Sequence, residues 1–348
     1  MKNILVCSVH TPFVLGGAEI LAADLRLNLE RRGFRAEAVR IPFKWYPVKD
    51  LVRQALAWRL FDLRESNGTP IDLVIATKHP SYVVQHPSKV TWLFHQHREA
   101  YDLHGTPYCT FKDTPEHDQI RTAIQSMDTQ ALAECRALFA ISQNVANRLH
   151  RYNGLHAEAL YPPPKHVGLY RNDGYGEYLL FVGRLDRMKR LDLAVNAFAH
   201  VRSPARLKIA GTGPVEPELR EQIVRLGLEQ RIDLLGFVSD VDLVSLYAGC
   251  RGAYYAPHDE DYGYVTVEAF LSQKPVVTTS DSGGPLEFVT DGETGMVAAP
   301  EPPAIADAID RLWALPETRL REMGEAGRRR VEGISWDYVI DRLTETLR

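Results

Sequence analysis

Short, uninterrupted apolar runs alternate along the chain with longer amphipathic stretches, and this alternation restricts the fold more than any other feature of the sequence. A strand that is apolar on both faces needs cover on both sides, which a parallel sheet receives from the helices of its own crossovers. In the first half the runs are "NILVCSV", "IDLVIATK", "VTWLFH" and "ALFAIS". In the second half "YLLFVGR", "ARLKIAG", "RIDLLGF", "CRGAYYAP" and "KPVVTTS" repeat the pattern. Helices are expected between them, such as Leu191 to Val201, where Leu191, Val195 and Phe198 recur at helical spacing. Tyr161 to Glu177, "YPPPKHVGLYRNDGYGE", has consecutive prolines and then Gly, Asn and Asp, which forbid regular structure, so it is taken as a linker. The expected fold class is α/β, with two doubly wound Rossmann-like domains. Such sheets bind ligands beyond the carboxyl ends of their strands, and two of these edges facing each other would make a central cleft.

A length of 348 residues suits two domains, each with its own core. The formal charge of -4 provides no global field for nucleic acid, which is not expected as a partner. Cys7, Cys109, Cys135 and Cys250 are far apart with no C-x-x-C pair, which argues against a zinc knuckle or a disulfide scaffold and fits a reducing cytoplasm. The opening "MKNILVCSV" is taken as the first strand, because His10, Pro12 and "GGAEILAADL" stand where a signal peptide would have its cleavage site. No run approaches the roughly 18 apolar residues of a spanning helix.

Glycines and charges gather after the strands. Gly16 and Gly17 in "GGAEIL" let the backbone approach a ligand at a helix start, as in an anion site, or form a plain tight turn. After "YLLFVG", Arg184 leaves the strand end and Lys189 precedes the next helix. A guanidinium and an ammonium so placed would neutralise a diphosphate, with Arg187 and Arg190 ranked as lesser competitors and a solvated basic turn as the other reading. Gly211 in "IAGTGP" belongs to a strand-to-glycine turn without the third glycine of a dinucleotide fingerprint, so it suits a wall of a nucleotide pocket better than an NAD site. In "EDYGYVTVEAF" a helix beginning near Gly263 would offer the amides of Gly263, Tyr264 and Val265 to a phosphate. Glu268 would reach a ribose and Glu260, in the preceding loop, the transferred unit; a helix-dipole role is the competing reading for both.

In this order "GGAE", His95 after "VTWLF", "VGRLDRMKR", "AGTGP", "EDYGYVTVE" and "SGGPLEFVTDGETG" resemble the retaining GT-B glycosyltransferases of family 4 (glycosyl transferases group 1), most strongly from Tyr178 to Val297. The resemblance implies an N-terminal acceptor-side domain, 1–165, a C-terminal nucleotide-sugar-binding domain, 166–330, and a final helix within 331–348 crossing back to the first domain. It implies a nucleoside-diphosphate sugar as donor substrate and no separate cofactor. Arg184 and Lys189 would bind the diphosphate, Glu268 the ribose and Glu260 the donor sugar, assisted by amides from Gly263 to Val265. Gly16 and Gly17 would close over the phosphates or the acceptor. His95, preferred to His97 because it lies nearer the strand end, would line the transfer site.

The implied mechanism is transfer with retention by front-face attack, in which the departing diphosphate oxygen takes the acceptor's proton and the protein supplies positive charge and oriented amides. No carboxylate stands out as the nucleophile of a double displacement. "DVD", Asp240 to Asp242, is expected to cap a helix, and no metal requirement is expected. The "EDYG" form leans towards a guanosine diphosphate donor, of the mannose or rhamnose type, ahead of a uridine one. The expected acceptor is a glycan, a lipid-linked glycan or a small-molecule hydroxyl. Lys44 to Ser66 mixes basic and large apolar residues, as either a helix at an anionic inner membrane face or a covering helix of the first sheet. His97 to Phe111 is aromatic and aperiodic, as in a mobile acceptor loop. The rivals are a sugar-nucleotide epimerase or phosphorylase on the same fold, and a non-catalytic nucleotide-sugar-binding subunit.

Overall fold

The structure is a computed structural model and describes residues 1–13 and 16–347. It has two compact units, residues 1–162 with 334–348 and residues 163–333, described in turn.

In the first unit the chain runs β1 (Asn3–His10), α1 (Gly17–Arg31), β2 (Arg35–Pro42), α2 (Leu51–Arg59), a small antiparallel hairpin of β3 (Glu65–Ser66) and β4 (Thr69–Pro70), β5 (Leu73–Ala76), β6 (Lys89–Leu93), α3 (Pro115–Ala133), β7 (Ala137–Ala140), α4 (Gln143–Asn153) and β8 (Glu158–Ala159). The main sheet is parallel in the order β2-β1-β5-β6-β7-β8. Every residue of β5 and β6 is buried; in β6 this includes Lys89, whose ammonium donates to the Tyr82, Val84 and Ala131 carbonyls at 3.0, 2.9 and 2.8 Å. Local chemistry sets the helix ends. Ser142 accepts the Val145 amide at 3.0 Å to start α4, and Gly154, at φ +66, stops it. The helix Trp336–Leu343 completes this unit, with Trp336 edge-on to Trp92 at 6.1 Å and Arg32 bound to Asp337 and Asp341, each at 2.7 Å.

Two expectations for this unit need correction. Lys44 to Ser66 is not one helix: α2 covers only Leu51–Arg59, behind a short 3-10 turn, and the chain then enters the hairpin. Nor is His97 to Phe111 an unpacked loop. Tyr101, Leu103 and Phe111 are buried, the Tyr101 hydroxyl donates to Asp128 at 2.8 Å, and Asp102 is held by Arg98 and Arg148.

The second unit runs β9 (Tyr178–Val182), α5 (Leu191–Phe198), β10 (Arg206–Ala210), α6 (Glu216–Arg225), β11 (Ile232–Gly236), α7 (Asp240–Gly249), β12 (Gly252–Tyr254), α8 (Tyr264–Leu271), β13 (Val276–Thr279), β14 (Gly295–Ala298), α9 (Pro302–Ala314) and α10 (Glu317–Val331). Its parallel sheet has the order β11-β10-β9-β12-β13-β14, the doubly wound order with its switch point between β9 and β12. Leu191, Val195 and Phe198 are all buried as their spacing predicts, although α5 ends at Phe198 rather than Val201. Helix α8 is backed closely by α10. A Cβ at Gly327 would lie 2.6 Å from the Phe270 ring, and one at Gly324 would lie 2.1 Å from the Gln273 carbonyl oxygen.

The segment 161–177 has no regular structure, yet it is anchored. The buried Lys274 ammonium donates to Asn172 at 2.6 Å and to the Gly174 carbonyl. No helix among the described residues is long and apolar enough to cross a membrane.

Candidate functional site

The switch point of the second sheet brings together the loops after β9 and β12. In the first, Gly183 leaves β9 at φ +148, Asp186 caps the short turn Arg187–Lys189 by accepting the Met188 amide at 3.1 Å, and Arg190 starts α5. In the second, Tyr255 to Gly263 connect β12 to α8. The Met188 carbonyl accepts the His258 amide at 2.8 Å and ties the two loops together.

Lys189 and Glu260 meet here as an ion pair, and the Tyr255 hydroxyl stands 3.1 Å from the same ammonium. Burial works to lower the Lys189 pKa, but the Glu260 charge and Tyr255 outweigh it and hold the group well above the ordinary lysine range. Lys189 is therefore a fixed cation at neutral pH. Arg184, in the same loop, is exposed, and its guanidinium has no ion pair or hydrogen bond among the described residues. Of the two lesser candidates, Arg187 is exposed and Arg190 is consumed internally: it donates to the Ala256 and Pro257 carbonyls, to Thr279 and to both oxygens of Asp281.

Gly211 and Gly213, after β10, lie against the β9 loop. A Cβ at Gly211 would fall 1.9 Å from the Gly183 carbonyl oxygen and one at Gly213 would fall 2.2 Å from that of Leu185. Close approach of backbone to backbone is what demands glycine at Gly211.

Helix α8 begins at Tyr264, with Gly263 at φ +86 packed so that a Cβ would lie 3.0 Å from Pro285. The Thr266 amide donates to the Gly263 carbonyl, so Gly263, Tyr264 and Val265 form the helix start, where the helix itself offers their amides no acceptor. In the body of α8, the Glu268 carboxylate accepts the Tyr247 hydroxyl at 2.8 Å. Burial raises its pKa above the carboxylate range, and Tyr247, Tyr170 and the nearby His166 offset this only in part. Asp240 pairs with Lys165 at 2.6 Å and His166 at 3.2 Å, while Ser239 caps α7 by accepting the Asp242 amide. The "DVD" string thus opens a helix, although the cap itself is Ser239. Among the described residues no cluster of three or more His, Cys, Asp or Glu is arranged to hold a metal.

In the first unit the switch point lies between β1 and β5. Gly16 and the exposed Gly17 begin α1 there, but the Gly16 amide already donates to Glu19 at 3.0 Å. Glu19 is also paired with Lys78, which follows β5, at 2.5 Å. Burial opposes ionisation of Glu19, but Lys78 and the Gly16 amide prevail and its pKa is lowered. His95 follows β6, half-buried, with Nδ1 2.8 Å from the Gln96 carbonyl oxygen. His97 is buried among His79 and Phe111, and burial, then the neighbouring His79 and His95, push its pKa down to about 3. It is neutral at physiological pH and belongs to the packing.

The sequence reading missed Tyr255, Tyr247, Lys78 and the stapling role of Arg190. Tyr255 had a signal, as the second tyrosine of "AYYAP" at a strand end; Tyr247 had none, lying on a different helix from its carboxylate.

The family profile of the glycosyl transferases group 1 matches residues 170–330. Over 170 residues, 44% of this chain and 40% of the relative, the sequence is 31% identical to the alpha-1,3/1,6-mannosyltransferase ALG2 of Homo sapiens. The chain thus spans less than half the length of the first curated relatives it matches. Over 98% of this chain and 96% of the relative it is 24% identical to the O-antigen chain mannosyltransferase C of Escherichia coli. The fold is similar to that of Anabaena Alr3699/HepE, solved in complex with UDP and glucose, with a TM-score of 0.70 and 19% identity over 100% of this chain and 99% of that one. The match to the glycosyl transferases group 1 profile is thus confined to residues 170–330, just under half of the chain, and the chain has the GT-B fold.

Proposed function

We propose that the chain is a glycosyltransferase that moves a sugar from a nucleoside-diphosphate sugar to a hydroxyl of a glycan, a lipid-linked glycan or a small molecule, with retention at the anomeric carbon and without a metal ion. The observation that carries this reading is the gathering of Arg184, Lys189 and Glu260 on two loops at one switch point, with α8 starting just beyond. Lys189 and Arg184 supply the positive charge that a departing diphosphate needs, and the amides of Gly263 to Val265 add oriented donors. Glu268 takes the ribose hydroxyls, Glu260 the donor sugar, and the Gly211 turn supports the pocket wall. Gly16 and Gly17 serve the phosphates or the acceptor, and His95 serves the transfer step. Glu260, ion-paired to Lys189, is poorly suited to act as a covalent nucleophile, which favours front-face transfer in which the diphosphate oxygen takes the acceptor's proton.

The mannosyltransferase names of the relatives favour a guanosine diphosphate donor such as GDP-mannose, and the UDP of the HepE complex keeps uridine next. Exposed Trp45, Tyr46, Leu60 and Phe61, together with Lys44 and Lys49, suit a peripheral contact with an anionic membrane. Absence of co-sedimentation with phosphatidylglycerol vesicles at low salt would remove that contact.

The test is calorimetry with GDP and UDP, with and without chelator, followed by hydrolysis of GDP-mannose, GDP-rhamnose and UDP-glucose. Binding and slow sugar release in chelator are expected. No binding of either diphosphate refutes the donor site, binding without turnover of any sugar supports a non-catalytic subunit, and activity restored only by a divalent ion refutes metal independence.

A further inference from the structure

Two non-glycine residues next to the ion pair adopt the left-handed backbone region: Arg190, at φ +50, follows Lys189, and Asp259, at φ +40, precedes Glu260. That region is disfavoured for an L-residue, so its use here calls for compensation. The Arg190 side chain provides it. Its Nε donates to the Ala256 carbonyl at 3.0 Å and its Nη2 to the Pro257 carbonyl at 2.8 Å, both in the loop that carries Glu260. Nη1 and Nη2 grip Asp281 at 2.7 and 2.8 Å, and Nη2 also reaches Thr279 at 2.8 Å, both at the end of β13. The Asp281 and Ser282 carbonyls then accept the Asp259 and Glu260 amides at 2.9 and 2.8 Å. One guanidinium thus fastens three strand-end loops, with Lys189 beside it on one and Glu260 on the next.

We propose that Arg190 is a positioning residue of the transfer site, setting Lys189 against Glu260 by stitching the loops after β9, β12 and β13. The inference rests on the donor-site reading above. Glycine at this position removes the guanidinium and accepts the backbone conformation, so Arg190→Gly separates stitching from strain; Arg190→Lys keeps the charge without the fork.

The experiment compares the full chain with both variants for thermal midpoint, affinity for GDP and UDP, and kcat and KM for hydrolysis of the donor sugar. Arg184 and Lys189 share one loop, so nucleoside diphosphate affinity is expected to stay within about threefold. Misplacement of Glu260 relative to Lys189 should lower kcat about 100-fold in both variants. An Arg190→Gly protein with unaltered kcat overturns the inference, as does a loss of kcat matched by an equal loss of diphosphate affinity or of folded fraction. If the unaltered protein binds neither GDP nor UDP, the donor-site reading fails first and the inference with it.

Discussion

Replacing Glu260 with Gln isolates what the ion pair does before any substrate arrives. In the free protein the Lys189 ammonium is about four-fifths buried and faces the Glu260 carboxylate, which is equally enclosed. Two unit charges about 4 Å apart at an effective permittivity near 20 attract by about 4 kcal/mol, most of which offsets their desolvation. Removing one partner leaves the other unpaired, and Gln still accepts one hydrogen bond, so a loss of about 1–2 kcal/mol is expected. For a unit the size of residues 163–333 this lowers the melting midpoint by about 2–8 °C. Diphosphate binding should move the opposite way, because Lys189 no longer has a carboxylate to share. A gain of about 1 kcal/mol appears as a roughly fivefold tighter Kd for GDP or UDP by calorimetry. Sugar release should fall at least about 100-fold if, as proposed, Glu260 orients the donor sugar. An unchanged midpoint together with weaker diphosphate binding would refute the shared-cation argument.

Three further outcomes follow from the geometry. Burial raises the Glu268 pKa, so its contribution to stability is fullest below the ordinary carboxyl pKa and is lost as pH rises through the raised one; Glu268→Gln should be more stable than the parent at pH 7, equal to it near pH 4, and weaker for GDP and UDP but not for pyrophosphate, as denaturation across pH and calorimetry would show. Gly211→Ala drives a methyl group into the Gly183 carbonyl and should cost more than about 3 kcal/mol with loss of diphosphate binding, whereas Gly154→Ala, with nothing within 4 Å, should cost about 1 kcal/mol and leave binding intact. The pKa of His97 is pushed down to about 3, so the stability of the parent should fall as pH drops from about 6.5; His97→Phe should flatten that slope in acid denaturation and retain activity, whereas His95→Ala should abolish transfer with nucleotide affinity retained.

The nine apolar runs were legible as strands because each is short and bounded by turn or helical signals, although burial along them ranges from complete in β5 and β13 to a single residue in β11. β2, "RAEAVRIP", escaped notice because it lies at the sheet edge and exposes charged residues between small apolar ones. The segment Lys44 to Ser66 looked more helical than it is, since its mixture of basic and apolar residues does not reveal that the helix stops at Arg59 before a hairpin. Packing of Tyr101 and Phe111 was invisible for a different reason: the partner of Tyr101 is Asp128, on α3, and local periodicity carries no information about such a contact. At the site, the positions of Arg184, Lys189, Glu260 and Glu268 relative to strand ends could be inferred one by one. That Lys189 and Glu260 touch, 71 residues apart, follows only from the crossing of the strand order between β9 and β12.

The helix Trp336–Leu343 has a consequence for how the protein is born. It supplies Trp336 to Trp92, acidic partners to Arg32 and a guanidinium, Arg342, to Glu158, all in the first unit. Residues 1–162 leave the ribosome well before residues 334–343, and the surface of that unit is incomplete until the later segment arrives. The second unit, continuous from 163 to 333, owes nothing to such a delay. The unit begun by residues 1–162 is therefore completed only after residues 163–333 have been made.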